Sequence, residues 1–396
     1  MAPILRVLFY DDAPDFGGHE LQTLAALRHM VAQPNTEAGF IYFRGNARLA
    51  KHITELAAQY PRFSALPQDD ASGSFQFLRT LVSFGAIRRV AAAMAAYKPD
   101  IVVLAQGAIA FGSVGLLAAR KAGLPTISYI PMTHPERFFS ASRWKAALRE
   151  PVNRFYYRLP DAYITVSPRM AGYLKGKGLT QPVTVVPAAM DPSGLRPVDP
   201  TAARLSLQLA PGDRVAALIG RVQFWQKRQD LAVQALALVR QHSPNFKLLV
   251  VGDGPDLPAL KALVHAQGLD RAVVFAGWSD NLAVVYAAMD MLLIPSRYEG
   301  VPLVMLEAMY SRRPVVATDV DGMADILPPH WLFPSGDAAA LAAGLLQAAR
   351  ASESELLDAH HQRIVSEHSM VVFERRFMAA VSATAKRLRP GLASSP

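Results

Sequence analysis

The sequence of 396 residues contains no cysteine, and this absence excludes two kinds of site. Without thiols there is neither a disulfide framework nor a metal centre held by thiolates. A cysteine-free chain is compatible with a reducing compartment. Charge is also sparse, since Asp, Glu, Lys and Arg make up 18% of the residues whereas 51% are hydrophobic. This composition is typical of well-packed globular proteins and argues against a disordered chain.

Long apolar runs that would direct export or cross a membrane are lacking as well. The opening residues, MAPILRVLFYDD, contain one basic residue and an apolar run that is too short for a signal peptide. The longest apolar stretch, from Ile101 to Ala119, is interrupted by three glycines, Gln106 and Ser113. We interpret this stretch as a buried strand, a glycine turn and a buried helix rather than as a membrane span.

Acidic residues are outnumbered, because 41 Lys and Arg stand against 32 Asp and Glu, which gives a net charge of +9. A basic excess favours nucleic acid, phosphorylated substrates or an anionic membrane face as partners. Residues 138–158, FFSASRWKAALREPVNRFYYR, interleave five basic with six aromatic residues. Two interpretations stay open: docking onto an anionic bilayer, or a helix whose aromatic stripe faces the core and whose charges face water.

Short apolar strands alternate with amphipathic helices twice along the chain. ILRVLFY and DIVVLA are examples in the first half, and RVAALIG and FKLLVVG in the second. Near-continuous apolar strands separated by helices predict parallel sheets that are covered on both faces. A proline-rich segment, residues 185–200, separates the two halves. We therefore predict two doubly wound α/β domains, with ligands bound at the carboxyl ends of the strands in a cleft between the domains.

Two loops at predicted strand ends carry candidate binding residues. The stretch GRVQFWQKRQD places Arg221, Lys227 and Arg228 between a strand and a helix. Cations beside a helix N-terminus suit a phosphate group, although a solvated basic loop is the plainer alternative. Gly17 and Gly18, between the first strand and the first helix, let a ligand approach the backbone closely, and an ordinary tight turn explains them equally well.

Three further patterns involve ionisable side chains. His134 follows a predicted strand, where it would point into the cleft or serve as an ordinary structural histidine. The string Asp319-x-Asp321 can hold a divalent metal, but no further ligands stand at metal spacing with it, so we predict no metal site. Glu299 and Glu307, separated by seven residues, lie in an otherwise apolar or turn-forming stretch, where a buried carboxylate needs a partner.

Together these segments resemble the retaining GT-B glycosyltransferases of family 4. The resemblance covers nearly the whole chain and is densest from Gly220 to Leu327, where GRVQFWQK, LLVVGDGPDLPALKAL, VVFAGWSD, PSRYEGVPLVMLEAM and PVVATDVDGMADIL follow in the family's order. The first half contributes GGHE, His134 and VSPRMAGYL. The resemblance implies a GT-B fold of class α/β, with two doubly wound Rossmann-like domains and a C-terminal helix that crosses back to the first domain. The expected bounds are 1–190 for the acceptor-binding domain, 191–368 for the donor domain and 369–396 for the returning helix and tail.

The resemblance also implies roles for individual residues. Arg221 and Lys227 would contact the donor diphosphate, and Glu307 would accept hydrogen bonds from the ribose. Glu299 would hold a hydroxyl of the transferred sugar, helped by backbone N–H groups of residues 300–303, and His134 would help to position this sugar. The base would rest near residues 277–279. The implied catalytic residues are thus Arg221, Lys227, Glu299 and His134. The implied donor-binding residues are Gly17, Gly18, Gly220, Arg221, Lys227, Trp278, Ser279, Glu299, Gly300, Val301, Pro302, Leu303 and Glu307.

Several positions depart from the family's usual pattern. One extra residue precedes Lys227, and Arg228 replaces a glycine. Asp321 stands where the first of two glycines is common, and Asp325 replaces a glutamate. These departures affect the prediction of the donor sugar more than the prediction of the reaction class.

The function that the resemblance implies is a retaining, metal-independent hexosyltransferase without a cofactor. It would move a sugar from a nucleotide diphosphate sugar to a hydroxyl of a lipid-linked, saccharide or phosphorylated acceptor, in bacterial exopolysaccharide, lipopolysaccharide or glycolipid assembly. We expect a cytoplasmic protein, peripheral on the inner membrane if residues 138–158 bind lipid. The alternatives are a nucleotide-sugar epimerase on the same fold and a non-catalytic nucleotide-sugar binding protein; nucleic-acid binding is not expected.

Overall fold

The computed structural model describes residues 4–73, 75–139, 142–350 and 354–390. It divides the chain into two compact units. The first unit comprises Met1–Ala188 and Met370–Pro396, and the second comprises Ala189–Ser369. The sequence placed the corresponding boundaries after residues 190 and 368.

A parallel sheet lies at the centre of the first unit. Its strands are β1 (Leu5–Asp11), β2 (Thr36–Phe43), β3 (Phe63–Gln68), β4 (Ile101–Ala105), β5 (Thr126–Tyr129), β6 (Ala162–Thr165) and β7 (Val183–Val185). Their order is β3–β2–β1–β4–β5–β6–β7, and every pair is parallel. All residues of β4, β5 and β6 are buried, as expected for apolar strands covered on both faces.

Helices cover both faces of this sheet. They are α1 (Gly18–Ala32), α2 (Ala47–Gln59), α3 (Gln76–Val82), α4 (Phe84–Tyr97), α5 (Ser113–Lys121), α6 (Arg143–Tyr156) and α7 (Pro168–Gly176). The stretch from Ile101 to Ala119 forms β4, a turn and most of α5, which confirms the sequence interpretation. Gly115 lets α5 approach the sheet, because a Cβ there would lie 2.4 Å from the ring of Tyr10. Within the described residues, no helix combines the length and apolar character needed to cross a bilayer.

A second parallel sheet forms the centre of the other unit. Its strands are β8 (Arg214–Ile219), β9 (Phe246–Val251), β10 (Val273–Gly277), β11 (Met291–Ile294), β12 (Val315–Thr318) and β13 (Leu332–Phe333), in the order β10–β9–β8–β11–β12–β13. The helices are α8 (Pro200–Ser206), α9 (Phe224–Lys227), α10 (Gln229–Arg240), α11 (Leu257–Ala266), α12 (Leu282–Ala288), α13 (Leu303–Tyr310), α14 (Asp321–Ile326), α15 (Ala338–Arg350) and α16 (Ser354–Glu367). The two predicted doubly wound sheets are thus confirmed.

The last helix, α17 (Met370–Leu388), belongs to the first unit and packs against α1 and β6. Phe373 and Phe377 are buried on it, and the Phe377 ring meets the Tyr129 ring edge-on, with 5.3 Å between centroids. Beyond the helix, the Arg389 guanidinium lies 3.3 Å from the Asp100 carboxylate. The predicted returning helix is therefore present.

Candidate active site

The chain order reverses in the middle of the second sheet, between the neighbouring strands β8 and β11. Loops that leave the carboxyl ends of strands at such a reversal diverge and open a crevice, where doubly wound sheets bind their ligands. Arg221 and Lys227 follow β8, whereas Glu299 follows β11 and Glu307 lies on α13. The structure thus brings four of the predicted residues to one edge of one sheet.

The basic loop after β8 is short and held from both sides. The Gly220 N–H donates to the Val251 carbonyl at 2.9 Å, and its φ of 129° lies in a region that favours glycine. Arg221 is exposed, and its carbonyl accepts a 2.9 Å hydrogen bond from the Gln229 side chain. The segment before Lys227 forms α9, a single turn that ends at Lys227, and Arg228 after it lies in the left-handed region at φ 52°.

Two glycines after β9 let this loop pack closely. A Cβ on Gly252 would lie 2.1 Å from the Gly220 carbonyl oxygen, and one on Gly254 would lie 2.3 Å from the Val222 carbonyl oxygen. The Val222 N–H also donates to the Asp253 carbonyl at 2.9 Å. These glycines support the basic loop rather than bind a dinucleotide, because any side chain there would displace the loop that carries Arg221.

Lys227 and Glu299, which were predicted to bind the diphosphate and the sugar of the donor, contact each other directly. Lys227 Nζ lies 2.6 Å from Glu299 Oε1, and the two side chains are 25% and 8% exposed. The sequence assigned these residues to opposite parts of one ligand, and in the structure their side chains contact each other. Because a buried carboxylate needs a partner, Lys227 accounts for the burial of Glu299.

Asp321 positions the loop that carries Glu299, a role that sequence reasoning missed. Its carboxylate accepts a 2.8 Å hydrogen bond from the Glu299 N–H, although its φ of 52° is unfavourable for a residue with a side chain. The Gly322 N–H donates to the Gly300 carbonyl at 3.1 Å, and a Cβ on Gly322 would lie 2.4 Å from that oxygen. Asp321 is therefore engaged with the backbone of the site.

Glu307 faces a tyrosine that the sequence did not single out. The Tyr286 hydroxyl on α12 donates to Glu307 Oε2 at 2.6 Å. Burial raises the pKa of the Glu307 carboxyl above its ordinary value, and the hydrogen bond from Tyr286 lowers it in part. Burial, followed by the charge of Glu307, raises the pKa of the Tyr286 hydroxyl well above its ordinary value. The hydrogen bond from Tyr286 thus fixes the orientation of the Glu307 carboxylate.

A small cavity lies between these loops, lined by Lys227, Ser296, Pro302 and Val304 among others. The Ser296 hydroxyl is buried, and no described residue hydrogen-bonds to it. Gly300 and Val301 are buried, and Leu303 begins α13. Pro302 has no N–H, so it cannot take part in the amide donation predicted for residues 300–303.

The loop after β10 carries the predicted base-binding residues. Trp278 is 59% exposed, and its indole N–H donates to Asp280 Oδ1 at 2.9 Å. The Ser279 hydroxyl accepts a 3.3 Å hydrogen bond from the Asn281 N–H. The Gly277 carbonyl accepts from the Gly252 N–H at 2.7 Å, which places this loop beside the one that supports Gly220. The contact with a base stays a prediction.

In the first unit, the order reverses between β1 and β4, and Gly17 and Gly18 follow β1. Gly17 is extended at φ −148°, so its backbone conformation does not require glycine. Its N–H donates to Glu20 Oε2 at 2.8 Å. A Cβ on Gly107, after β4, would lie 3.5 Å from the His19 ring, so the two loops are adjacent.

His19 bridges two buried carboxylates, which the sequence did not reveal. Its Nδ1 lies 3.0 Å from Glu20 Oε2, and its Nε2 lies 3.5 Å from Asp11 Oδ2. Burial opposes a charge on this ring, but Glu20 and Asp11 outweigh it and raise the pKa of His19 to about 10. Among the described residues, these three side chains form the one group whose ligand atoms lie close enough to hold a metal ion.

His134 is surrounded by aromatic side chains. It is fully buried, and its ring centroid lies 5.6 Å from those of Phe138 and Tyr173 and 5.8 Å from that of Phe139. The sequence left a cleft residue and a structural histidine open, and this aromatic environment favours the structural role. Its contact with a donor sugar stays a prediction.

Each of the two units matches the model of a known protein family. Residues 213–350 match the family model described as Glycosyl transferases group 1, and residues 17–189 match that of a Glycosyl transferase 4-like domain. Together the two models cover most of the chain. The protein therefore belongs to the group 1 glycosyltransferases, which confirms the predicted family, whereas the retaining mechanism stays a prediction.

Individual relatives match over shorter ranges. The lipopolysaccharide core biosynthesis mannosyltransferase LpsB of Rhizobium meliloti is 34% identical over 44% of this chain and 50% of its own length. The 2-deoxystreptamine glucosyltransferase of Streptomyces kanamyceticus is 32% identical over 58% and 62%, respectively. The chain thus spans about half the length of these curated relatives. The solved structure of Anabaena HepE with UDP and glucose covers 96% of this chain and 100% of its own, with a TM-score of 0.75 at 19% identity, which confirms the GT-B fold.

Proposed function

We propose that the protein is a retaining, metal-independent glycosyltransferase that moves a sugar from a nucleotide diphosphate sugar to an acceptor hydroxyl. The observation that carries this proposal is the contact between Lys227 and Glu299 where the order of the second sheet reverses, with Arg221 in the loop of Lys227 and Glu307 on the helix that follows Glu299. Two cations and two carboxylates in this arrangement match the two chemical halves of such a donor, an anionic diphosphate and a set of hydroxyl groups.

The Lys227–Glu299 pair would exchange partners when the donor binds. The diphosphate takes over the ammonium of Lys227, and the carboxylate of Glu299 is released to accept a hydrogen bond from a sugar hydroxyl. The bond from the anomeric carbon to the phosphate oxygen then breaks, and a bond to the acceptor oxygen forms on the same face. The acceptor proton passes to the departing phosphate, while Arg221 and Lys227 stabilise the negative charge that develops there.

The relatives suggest a substrate class. LpsB is named for lipopolysaccharide core biosynthesis, and the HepE structure contains UDP. We extend both to this chain and propose a uridine diphosphate hexose as donor and a glycolipid or saccharide of envelope assembly as acceptor. The reaction would take place in the cytoplasm, where nucleotide sugars are made.

A panel of nucleotide diphosphates and nucleotide sugars in a thermal-shift assay would identify the donor, because a ligand of the native state raises the melting temperature. With that donor, Lys227→Ala should lower turnover about a hundredfold or more. Lys247→Ala is the matched control, since Lys247 lies 3.4 Å from Asp213 with similar exposures of 22% and 10%. Equal rates for the two variants would contradict the proposed role of Lys227. A product in which the nucleotide stays attached to an altered sugar would instead favour an epimerase.

A further inference from the structure

The outward face of α6 is apolar. Trp144, Leu148 and Phe155 are 61%, 54% and 47% exposed, and their spacing of four and seven residues places them on one side of the helix. Tyr156, the next residue around the helix after Phe155, is fully buried, and the adjoining Tyr157 is 1% exposed. Some aromatic residues of this segment are therefore buried and others are exposed. Neither the bilayer-docking interpretation nor the core-facing interpretation of the sequence describes all of them.

A neighbouring segment presents a second exposed apolar row. Phe75 and residues of α3 and α4 contribute to it, with exposures between 40% and 73%: Phe75, Leu78, Leu81, Val82 and Phe84. The two segments are joined, because the Tyr156 hydroxyl donates to the Phe77 carbonyl at 2.9 Å and the Arg149 guanidinium lies 5.3 Å from the centre of the Phe77 ring. We call this row together with Trp144, Leu148 and Phe155 the apolar patch.

Basic residues are concentrated in the two sequence segments that carry the apolar patch. Residues 75–90 and 137–158 together contain nine Lys or Arg and one acidic residue, so they account for +8 of the net charge of +9. Arg79, Arg88, Arg154 and Arg158 are exposed there. The remainder of the sequence is close to neutral. Exposed apolar side chains and cations thus share one region of the first unit.

We propose that the apolar patch and its surrounding basic residues form a docking surface for an anionic lipid bilayer. Side chains of Trp and Leu insert at the boundary between headgroups and acyl chains, while Lys and Arg pair with anionic headgroups. This chemistry uses both the exposed apolar side chains and the exposed cations of the surface.

Other occupants fit these residues less well. Exposed aliphatic side chains such as Leu78, Leu81 and Val82 recognise neither phosphates nor base edges, so a nucleic acid would leave them unsatisfied. A second copy of the chain would bring two strongly positive surfaces together, and like charges oppose such contact. A bilayer with anionic lipid satisfies both the apolar and the basic groups.

Sedimentation of the full-length protein with vesicles tests the proposal. We expect strong binding to phosphatidylcholine vesicles with about 30 mol% phosphatidylglycerol, weak binding without the anionic lipid, and release as ionic strength rises. The variant Trp144→Ser, Leu148→Ser, Phe155→Ser should lower the partition coefficient about tenfold or more. The matched control is Leu205→Ser, Val365→Ser, Val371→Ser, whose side chains are 68%, 45% and 69% exposed elsewhere on the protein. This control should bind as the wild type does.

Three results would overturn the proposal: no binding to anionic vesicles, equal binding by the Trp144 triple variant and the wild type, or dimers in lipid-free solution that this variant converts to monomers. Far-UV circular dichroism verifies that both triple variants are folded. Lys227→Ala should bind vesicles normally, so the docking surface and the proposed sugar transfer can fail independently. Brominated lipids add a direct readout, because they should quench the wild type more than Trp144→Phe, which keeps an apolar side chain.

Discussion

The contact between Lys227 and Glu299 predicts a measurable coupling energy. At 2.6 Å and an effective dielectric constant of about 20, the attraction is about 6 kcal/mol before desolvation is subtracted. Desolvation offsets much of this for a carboxylate that is only 8% exposed, whereas Lys227 keeps 25% of its exposure. We therefore expect Lys227→Met to lower the free energy of unfolding by about 2 kcal/mol, because it leaves the Glu299 carboxylate buried without its cation.

A double-mutant cycle isolates this coupling. Glu299→Gln alone should destabilise the protein by about 1 kcal/mol, and the double variant should recover most of the loss from Lys227→Met, which gives a coupling of at least about 1 kcal/mol. Urea unfolding followed by tryptophan fluorescence suits the measurement, since three of the four tryptophans, Trp225, Trp278 and Trp331, lie in the second unit. A coupling below about 0.5 kcal/mol would refute the inference that Lys227 is what permits Glu299 to be buried.

The same pair predicts opposite effects on two ligands. Glu299→Gln removes the carboxylate that competes with phosphate for Lys227, so a free nucleotide diphosphate should bind as tightly as before or more tightly. The intact nucleotide sugar loses its hydroxyl acceptor and should lose affinity relative to the diphosphate. Calorimetry with both ligands measures this ratio, and an equal loss for both would contradict the proposed exchange of partners.

Three further variants probe the surrounding groups. Tyr286→Phe removes the hydrogen bond that lowers the pKa of Glu307, so the decline in donor affinity on acidification should begin at higher pH in a calorimetric titration. Asp321→Gly relieves the unfavourable φ of this residue but leaves the Glu299 N–H without its acceptor, so steady-state kinetics should show kcat/KM lowered about tenfold. Asp321→Ser should show no higher kcat/KM than Asp321→Gly. The pKa of His19 is raised to about 10 in the folded protein, so its stabilising effect is complete below about pH 6.5 and is lost as pH rises through 10. Thermal unfolding of His19→Gln should therefore show a lower Tm at neutral pH and a smaller decline toward pH 10.

Much of the fold follows from local patterns in the sequence. The apolar runs predicted parallel strands, because a strand covered on both faces must be apolar along its whole length. The interrupted stretch from Ile101 to Ala119 correctly indicated a strand and a helix rather than a membrane span. Arg221, Lys227, Glu299 and Glu307 were recognised because their loops follow predicted strands in a familiar order, and the carboxyl ends of parallel strands share one edge.

Contacts between side chains required the tertiary structure. Spacing along the chain does not reveal that Tyr286 meets Glu307 across two helices, or that His134 is enclosed by aromatic rings. Pro302 could have been excluded as an amide donor from the sequence alone. The contacts of Tyr286 and His134 depend on how helices and strands that are distant in sequence are shifted and rotated relative to one another.

The face that α6 turns outward illustrates the same division. The sequence determined that Trp144 and Phe155 share one side of a helix, because helical periodicity is a local property. It did not determine that this side faces solvent, because the rotation of α6 depends on its packing against α3, about 70 residues earlier in the chain. Composition and periodicity thus decided which residues act together, whereas long-range packing decided which of them are buried, paired or exposed.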